Sequence, residues 1–374
     1  MTNDEPEEDR TTLRRPAPAA LAEPIVHLLD IEAADGQPAR RVTIGPGPLT
    51  IGRGPQSGLV LPSGDVSRSH CIVALDREAA IVSDLGSTNG TIVDGLRAEG
   101  PVRLAPGARL TLGPFTLVYR SGRAADFART EEVEKDLARA GRYVAALLPP
   151  PLADGPVRAD WRFVPSTNIG GDGFGYGWLD EHRFAVWLLD VSGHGVGSAL
   201  LAASVMNLLR VHSLPGTDFT DAAAVLAALN DRFQMDRQGG LYFTIWYGVY
   251  DTRTRILGFG CAGQHPGFMM LPGLATVQPL WVKNPGIGLA PDWPYRRAEV
   301  TVPPGARLYL FSDGAFEVAT ADGRQLTIGD FLPVLAAPSQ PGLAEPERLW
   351  QAVRNVARPG PLEDDVALLI LDFT

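Results

Sequence analysis

The chain has 374 residues, with 43 Asp and Glu against 33 Lys and Arg and a formal net charge of -10. Hydrophobic residues make up 45% and charged residues 20%, which is typical of folded globular domains and excludes wholesale disorder. A net-acidic chain is poorly suited to non-specific nucleic-acid binding, so we expect no nucleic-acid partner. Its two cysteines are too few for a disulfide framework or a cysteine-rich zinc site, and they fit a reducing cytoplasm.

Residues 1–24 are polar, charged and rich in Pro and Ala, which predicts a flexible leader. The segment lacks the apolar core of a secretory signal. The longest apolar stretch, 199–209, is interrupted by Ser204 and Asn207 and is too short to span a bilayer. We therefore expect a cytoplasmic protein with no membrane partner.

Short apolar runs separated by turn residues occupy 25–120, and no helical period of useful length appears there. This spacing predicts an all-β sandwich. The runs are 25–31, 49–51, 70–75, 80–82, 109–112 and 115–119.

Helix-forming residues follow over 126–148, acidic at first and apolar later, until three prolines at 149–151 end the pattern. One amphipathic connecting helix is predicted. The residues leave two interpretations open, a rigid spacer or a signalling helix that joins two copies into a homodimer.

The remainder, 152–374, mixes predicted strands and helices and indicates an α+β domain. Two of the predicted strands are joined across the turn at 251–254 as a β-hairpin. Strands are predicted at 184–189, 242–250, 256–261, 307–311 and 366–371, and helices at 197–211, 221–236 and 346–357.

Two groups of loops in the front segment carry side chains suited to a phosphate. One is Thr-Ile-Gly-Arg-Gly at 50–54, and the other combines 65–70 with Asp-Leu-Gly-Ser-Thr-Asn-Gly-Thr at 84–91. Arg and Ser on turns can hold a dianion through charge-assisted hydrogen bonds. An Asn in a glycine-flanked turn can hold a peptide backbone. On the residues alone, loops without a ligand remain the alternative.

These strings, in this order, resemble a forkhead-associated (FHA) domain over 25–121. The resemblance implies a β-sandwich whose loops bind phosphothreonine on a protein, such as a serine/threonine kinase or its substrate. His70 takes a structural supporting place in the family, and Asp94 stands where relatives often carry Asn. The resemblance assigns the phosphate to Arg53, Ser67 and Arg68, and peptide contacts to Thr88 and Asn89.

Aspartates adjoin several apolar strands of the back segment. Asp172 follows Gly-Gly, Asp190 begins Asp-Val-Ser-Gly-His-Gly, Asp313 lies in Phe-Ser-Asp-Gly, and Asp364 and Asp365 precede the last strand. Carboxylates that converge from several strand ends repel one another unless they are protonated or bridged by cations. Hard oxygen ligands with no Cys suit Mg²⁺ or Mn²⁺. Each motif alone is also an ordinary Asp-Gly turn.

Two histidines also lie in or near these motifs. His194 is either a general acid beside the aspartates or the residue at a helix start. His265, in Cys-Ala-Gly-Gln-His-Pro at 261–266, fits a turn or pocket wall better than a ligand.

Taken together, the back motifs resemble the PPM-type metal-dependent serine/threonine phosphatases, in the SpoIIE/RsbU-like branch, with a helical linker at 122–150 and the phosphatase domain at 151–374. The expected architecture is multidomain, an FHA sandwich, a connecting helix and an α+β PPM fold with a β-sandwich flanked by helices. At 173–176 this chain reads Gly-Phe-Gly-Tyr where relatives often have an acid, so a second acidic contact is lost. The resemblance implies two Mn²⁺ or Mg²⁺ ions held by Asp172, Asp190, Asp313, Asp364 and the Val191 carbonyl, with Asp365 as the alternative to Asp364.

The function implied is hydrolysis of phosphoserine or phosphothreonine on a bacterial regulatory protein, with the front module recruiting or controlling the enzyme. The branch suggests an anti-sigma-factor antagonist as substrate. A hydroxide would attack phosphorus in line without a covalent enzyme intermediate. A non-catalytic phosphoprotein-binding adaptor is the alternative. A hydrolase of small phosphate esters or nucleotides is less favoured because no P-loop is present.

Overall fold

The computed structural model describes residues 24–32, 39–77, 79–167, 169–274, 276–358, 360 and 362–374. The leader predicted over 1–24 lies outside these residues except for Pro24. The chain divides into two compact units, Met1–Glu132 and Val133–Thr374. Within the described part, no helix is both long enough and apolar enough to cross a membrane.

The first unit is built from two β-sheets, as the apolar spacing predicted. Their inner faces meet around Leu29, Ile51, Val73, Leu110 and Leu117, none of which is exposed to solvent. The strand order is β2-β1-β11-β10-β7-β8 in one sheet and β4-β3-β5-β6-β9 in the other. The strands are β1 Ile25–Ile31, β2 Arg40–Ile44, β3 Leu49–Gly52, β4 Leu59–Val60, β5 Cys71–Asp76, β6 Ala79–Asp84, β7 Ile92–Val93, β8 Leu96–Arg97, β9 Val102–Leu104, β10 Arg109–Leu112 and β11 Phe115–Arg123.

Helix α1 follows at Ala124–Ala145, close to the predicted 126–148. It ends a turn earlier than the sequence indicated, because the Leu147 and Leu148 amides donate to carbonyls three residues back and form a tighter turn before the prolines. Val144 and Leu147 are buried in the core of the second unit, whereas Val133 and Tyr143 are exposed.

The second unit contains two five-stranded sheets, ordered β13-β14-β15-β16-β19 and β12-β21-β20-β17-β18. Apolar side chains from both sheets, such as Phe174, Leu188 and Leu369, form one buried cluster between them. The strands are β12 Val157–Val164, β13 Asp172–Trp178, β14 Arg183–Val191, β15 Phe243–Asp251, β16 Ile256–Ala262, β17 Gly267–Met270, β18 Val277–Leu280, β19 Ala298–Thr301, β20 Arg307–Phe311 and β21 Val366–Phe373.

Four helices cover the outer faces of these sheets. They are α2 Val196–Arg210, α3 Ala222–Arg232, α4 Ile328–Ala336 and α5 Glu345–Val356. The first two pack on the β13–β16 sheet and the other two on the β20–β21 sheet. The unit is therefore a β-sandwich flanked by helices, as expected.

Helix α3 is shorter than the predicted 221–236. Asp221 caps its N-terminus by accepting a hydrogen bond from the Ala223 amide at 2.9 Å. The helix ends before Phe233, whose backbone leaves helical angles and whose ring packs against Phe243 with centroids 5.8 Å apart. A separate 3-10 turn, Met235–Arg237, covers the rest of the predicted length.

Candidate functional site

Two of the predicted aspartates lie opposite each other on adjacent strands. Asp172 begins β13 and pairs in antiparallel register with Asp190 near the end of β14, which in turn lies opposite Thr244 on β15. Directly opposed residues in such a ladder have closely spaced side chains. Asp172 is buried, at 2% exposure, and Asp190 is partly buried.

The other two predicted aspartates lie where β20 ends and β21 begins. These strands are antiparallel neighbours, so Asp313 after β20 and Asp364 before β21 reach the same edge of their sheet. The Ser312 hydroxyl fixes this edge, because it donates to the Asp365 carbonyl at 3.1 Å and accepts from the Ala367 amide at 2.9 Å. Asp313 is partly buried and Asp364 is exposed.

Asp365 differs from its neighbour Asp364 in what its carboxylate contacts. One oxygen accepts from the Ser166 amide at 2.7 Å and hydroxyl at 3.0 Å, and the other from the Gly171 amide at 2.7 Å. Asp365 is only 4% exposed. Both of its oxygens are therefore occupied within the protein, which leaves Asp364 as the more available of the pair for an external ligand.

A glycine makes this approach of segments possible. A Cβ on Gly314 would lie 2.2 Å from the Asp365 carbonyl oxygen, far inside contact distance. The turn that carries Asp313 can therefore pass the start of β21 only without a side chain at this position.

The carboxylates raise one another's proton affinity. Burial raises the pKa of Asp172 well above its ordinary value, and the charges of Asp190 and Asp365 add to the shift. Burial likewise raises the pKa of Asp190 to about 7, with additional contributions from the charges of Asp313 and Asp364. One oxygen of Asp172, Oδ2, is buried without a hydrogen-bond partner among the described residues. Such crowding is relieved by protonation or by a cation.

The donor chemistry fits hard divalent cations. Carboxylate and carbonyl oxygens suit Mg²⁺ or Mn²⁺. A Cβ on Gly171 would lie 3.1 Å from the Val191 carbonyl oxygen, so a larger residue at 171 would crowd this backbone oxygen. In the described part of the chain, however, no three His, Cys, Asp or Glu side chains are close enough to hold one ion together. Mg²⁺ commonly uses one or two carboxylates and keeps several waters, so this looser spacing still suits it.

The two histidines occupy different surroundings. His194 is exposed in the loop before α2. Burial raises the pKa of Asp364, and the charge of His194 opposes that shift. His265 packs against the rings of Phe311 and Phe316, with centroids 4.8 and 5.3 Å away, as a wall residue would.

In the first unit, backbone hydrogen bonds join two of the predicted phosphate-binding loops. The Arg53 amide donates to the Ser67 carbonyl at 2.9 Å, and the Gly54 amide donates to the Arg68 carbonyl at 3.0 Å. The Ser67 and Thr88 hydroxyls lie 3.4 Å apart. Both arginine side chains are exposed. The structure thus brings Arg53, Ser67, Arg68 and Thr88 to one loop cluster.

Asn89 and His70 support this loop cluster through hydrogen bonds to backbone atoms. The Asn89 side-chain amide donates to the Asp65 carbonyl at 2.9 Å. His70 is fully buried, with Nδ1 accepting from the Ser67 amide at 3.1 Å and Nε2 lying 3.2 Å from the Gly90 carbonyl. His70 is therefore a support between two loops.

Asp84 organises the third loop, a role that the motif analysis missed. Its carboxylate accepts hydrogen bonds from the Ser87 amide and hydroxyl and from the Thr91 hydroxyl, at 2.6–2.8 Å. Burial opposes ionisation, but these hydrogen bonds prevail and lower the pKa of Asp84 to about 2. The signal available in the sequence was the spacing Asp-x-x-Ser, which is typical of a side chain that bonds the backbone ahead of it.

Comparison with known proteins gives two family matches. The model of Stage II sporulation protein E (SpoIIE) matches residues 180–374, and the FHA domain model matches residues 49–113. The fold resembles the solved SiaA-PP2C domain of Pseudomonas aeruginosa, with a TM-score of 0.56 and 21% identity, over 66% of this chain and 99% of that one.

Two curated relatives match different parts of the chain. The phosphoserine phosphatase RsbP of Bacillus subtilis is 28% identical over 185 residues, which are 49% of this chain and 46% of RsbP. The FHA domain-containing protein FhaB of Mycolicibacterium smegmatis is 35% identical over 80 residues, 21% of this chain and 52% of FhaB. The chain thus spans about half the length of the curated relatives it matches.

Proposed function

The chain belongs to the SpoIIE family of PPM-type phosphatases and carries an FHA domain before the family region, and from this premise we propose that it is a metal-dependent protein serine/threonine phosphatase. Its substrate would be phosphoserine or phosphothreonine on a regulatory protein, in line with the phosphoserine phosphatase activity named for RsbP. We assign the phosphopeptide module to 25–121, the linker to 122–150 and the enzyme to 151–374.

The observation that carries the proposal is the group of carboxylates at the strand ends, of which Asp172 is buried and Asp190 and Asp313 are partly buried. Asp172, Asp190, Asp313 and Asp364 are the ligands we assign to two Mn²⁺ or Mg²⁺ ions, together with the Val191 carbonyl. When bound, such ions lower the pKa of water and neutralise charge on phosphate oxygens. The uncompensated Oδ2 of Asp172 and the raised pKa of Asp190 support this assignment.

In line with direct hydrolysis, neither cysteine of the chain is suited to form a covalent enzyme intermediate. Cys71 and Cys261 are buried, and burial raises the pKa of each thiol to about 12. Neither thiol forms the thiolate that a nucleophile requires at neutral pH. Asp365 and Ser312 hold the turns that carry the assigned ligands, so the carboxylates are positioned before substrate arrives.

The FHA domain would bind phosphothreonine on a partner, either a serine/threonine kinase or its substrate. Arg53 and Arg68 are exposed beside the Ser67 hydroxyl, which is a suitable combination for a phosphate dianion. Such binding would recruit the enzyme to its substrate or control its activity.

Phosphate release from phosphoserine and phosphothreonine peptides, with and without Mn²⁺, tests the phosphatase. Asp190→Asn should abolish metal-dependent release, because it removes a charged ligand from the centre of the group. Asp231→Asn is the matched control, since Asp231 is exposed on α3 and should leave turnover unchanged. Metal-independent release by the wild type, or full activity of Asp190→Asn, would overturn the proposal, and phosphopeptide binding without turnover would indicate an adaptor.

A second experiment tests the FHA assignment. Arg53→Ala and Arg68→Ala should each weaken the binding of a phosphothreonine peptide about tenfold or more, as expected for a lost charge-assisted hydrogen bond. Arg103→Ala, an exposed arginine on β9, is the control. Equal affinity in all variants would contradict the assignment.

A further inference from the structure

A cationic side chain lies beside the candidate phosphatase site and has no role in the assignments above. A small recess is lined by Gly314, Glu317, Arg358, Glu363 and Asp364. One recess is thus lined by the assigned ligand Asp364, by the glycine that follows Asp313, and by an arginine located after α5.

The backbone of Arg358 is fixed to the segment that carries Asp313. The Arg358 amide donates to the Ala319 carbonyl at 2.8 Å, and the preceding Ala357 forms a β-bridge with Thr320. Glu317 connects the same segment to the ligand, because its amide donates to the Asp313 carbonyl at 2.7 Å. Arg358 is therefore held at a defined place next to the site.

The guanidinium of Arg358 is only partly engaged. It pairs with Glu363, and its other N–H groups have no hydrogen-bond partner among the residues that the structure describes. Its side chain is 55% exposed. An arginine in this state can still present two parallel N–H donors to a phosphate, a geometry that a guanidinium matches well.

The negative charge around the site makes a cationic side chain favourable for binding a phosphate. Two divalent cations would balance the four assigned carboxylates, and the further acids Asp365, Glu317 and Glu363 would keep the surroundings negative. A phosphate monoester that enters is itself a dianion. A cation at the rim offsets this repulsion.

We propose that Arg358 is a substrate-binding residue that contacts the phosphate group of the phosphoprotein, exchanging its pairing with Glu363 for the incoming dianion. The role of Arg358 in turnover rests on the proposed phosphatase function. Its contact with phosphate can be measured without turnover.

The kinetic test compares Arg358→Ala with wild type on a phosphoserine peptide and on p-nitrophenyl phosphate. The KM should rise about tenfold for both substrates, the effect of losing a hydrogen bond between charged groups, with kcat within about twofold. Arg358→Lys should recover part of the loss. Arg354→Ala is the control, since Arg354 lies one turn earlier on α5 and donates to the Gly360 carbonyl. Unchanged KM values, or a rise for the peptide alone, would overturn the phosphate contact.

The binding test uses inorganic phosphate and calorimetry in the presence of Mn²⁺. Arg358→Ala should weaken phosphate binding about tenfold, while Glu363→Gln, which releases the guanidinium, should leave it equal or tighter. If wild type hydrolyses no peptide but binds phosphate in an Arg358-dependent manner, the proposed function fails and the site stands. If wild type is active and phosphate affinity does not depend on Arg358, the function stands and the site fails.

Discussion

The Asp365 carboxylate accepts a hydrogen bond from the Gly171 amide at 2.7 Å, across 194 residues of sequence. This contact joins the start of β21 to the start of β13, and therefore the two strands beside which Asp364 and Asp172 lie. The same carboxylate accepts two hydrogen bonds from Ser166. Through these hydrogen bonds the buried Asp365 fixes the start of β21 to the segment that precedes β13.

Asp365→Asn should destabilise the second unit by about 2–4 kcal/mol, because an amide group in place of one oxygen sets a donor against buried N–H donors. Calorimetry of the metal-free protein would report this as a lower melting temperature. Asp364→Asn makes the same chemical change one residue earlier, where the carboxylate is exposed, and should alter the melting temperature little. Equal effects of the two variants would contradict the structural role of Asp365.

The stability of the metal-free protein should fall as pH rises from about 4 to about 7. The native pKa of Asp190 is raised to about 7, through burial and then the charges of Asp313 and Asp364, whereas an unfolded Asp titrates near 3.9. Between these values the native state binds more protons than the unfolded state, so raising the pH favours unfolding.

Thermal unfolding in a chelator, measured from pH 5 to pH 8, checks this expectation. Asp190→Asn should flatten the decline and be the more stable protein at pH 8. Added Mg²⁺ or Mn²⁺ should stabilise the wild type most at high pH, where the carboxylates are ionised. A metal-free stability that increases over this range would show that the carboxylates do not crowd one another.

His70→Ala should weaken phosphothreonine binding by the FHA domain about tenfold or more, although His70 is fully buried. The change removes the bridge between the Ser67 amide and the Gly90 carbonyl, so the loops that carry the ligand contacts lose their spacing. Peptide binding followed by fluorescence anisotropy measures the effect. His27→Ala removes another buried histidine, bonded to Tyr119, and should lower stability with little loss of affinity.

Asp84 should titrate near pH 2 in the folded protein, since its hydrogen bonds to Ser87 and Thr91 outweigh the opposing effect of burial. A lowered native pKa means that the contribution of Asp84 to stability is complete above about pH 4 and is lost as the pH falls towards 2. NMR of the side-chain carboxyl carbon gives the midpoint. Asp84→Asn should remove this part of the acid sensitivity, whereas Asp76→Asn should retain it.

The elements that were predicted well are those whose pattern is local. Ile25–Ile31 and Arg307–Phe311 are observed with the predicted bounds, because each is an apolar run closed by turn residues. Strand β13 was missed, since its alternate glycines remove the apolar signal. Met206 and Trp187 pack in the space beside Gly173 and Gly175, which only the tertiary structure reveals. Helix α4 was missed because Pro333 lies inside it.

In the candidate site, too, the features that depend on tertiary structure could not be predicted from local pattern. The sequence placed acids at strand ends, and the strand pairing brings Asp172 opposite Asp190. Two adjacent acids in one motif cannot be told apart by spacing, so the different surroundings of Asp364 and Asp365 came only from the structure. Arg358 lies in no motif and is near the site only because its backbone pairs with Ala319.

The position of β21 between β12 and β20 has a consequence for synthesis of the protein. While the ribosome has not yet released 364–373, the sheet is divided in two, and both Asp364, which we assign as a ligand, and its neighbour Asp365 are missing. Strand β12 cannot pair until β21 is available, and a pairing such as Val157 with Phe373, far apart in sequence, is slow to form. The group of aspartates is therefore assembled late, after the first unit has already had time to fold.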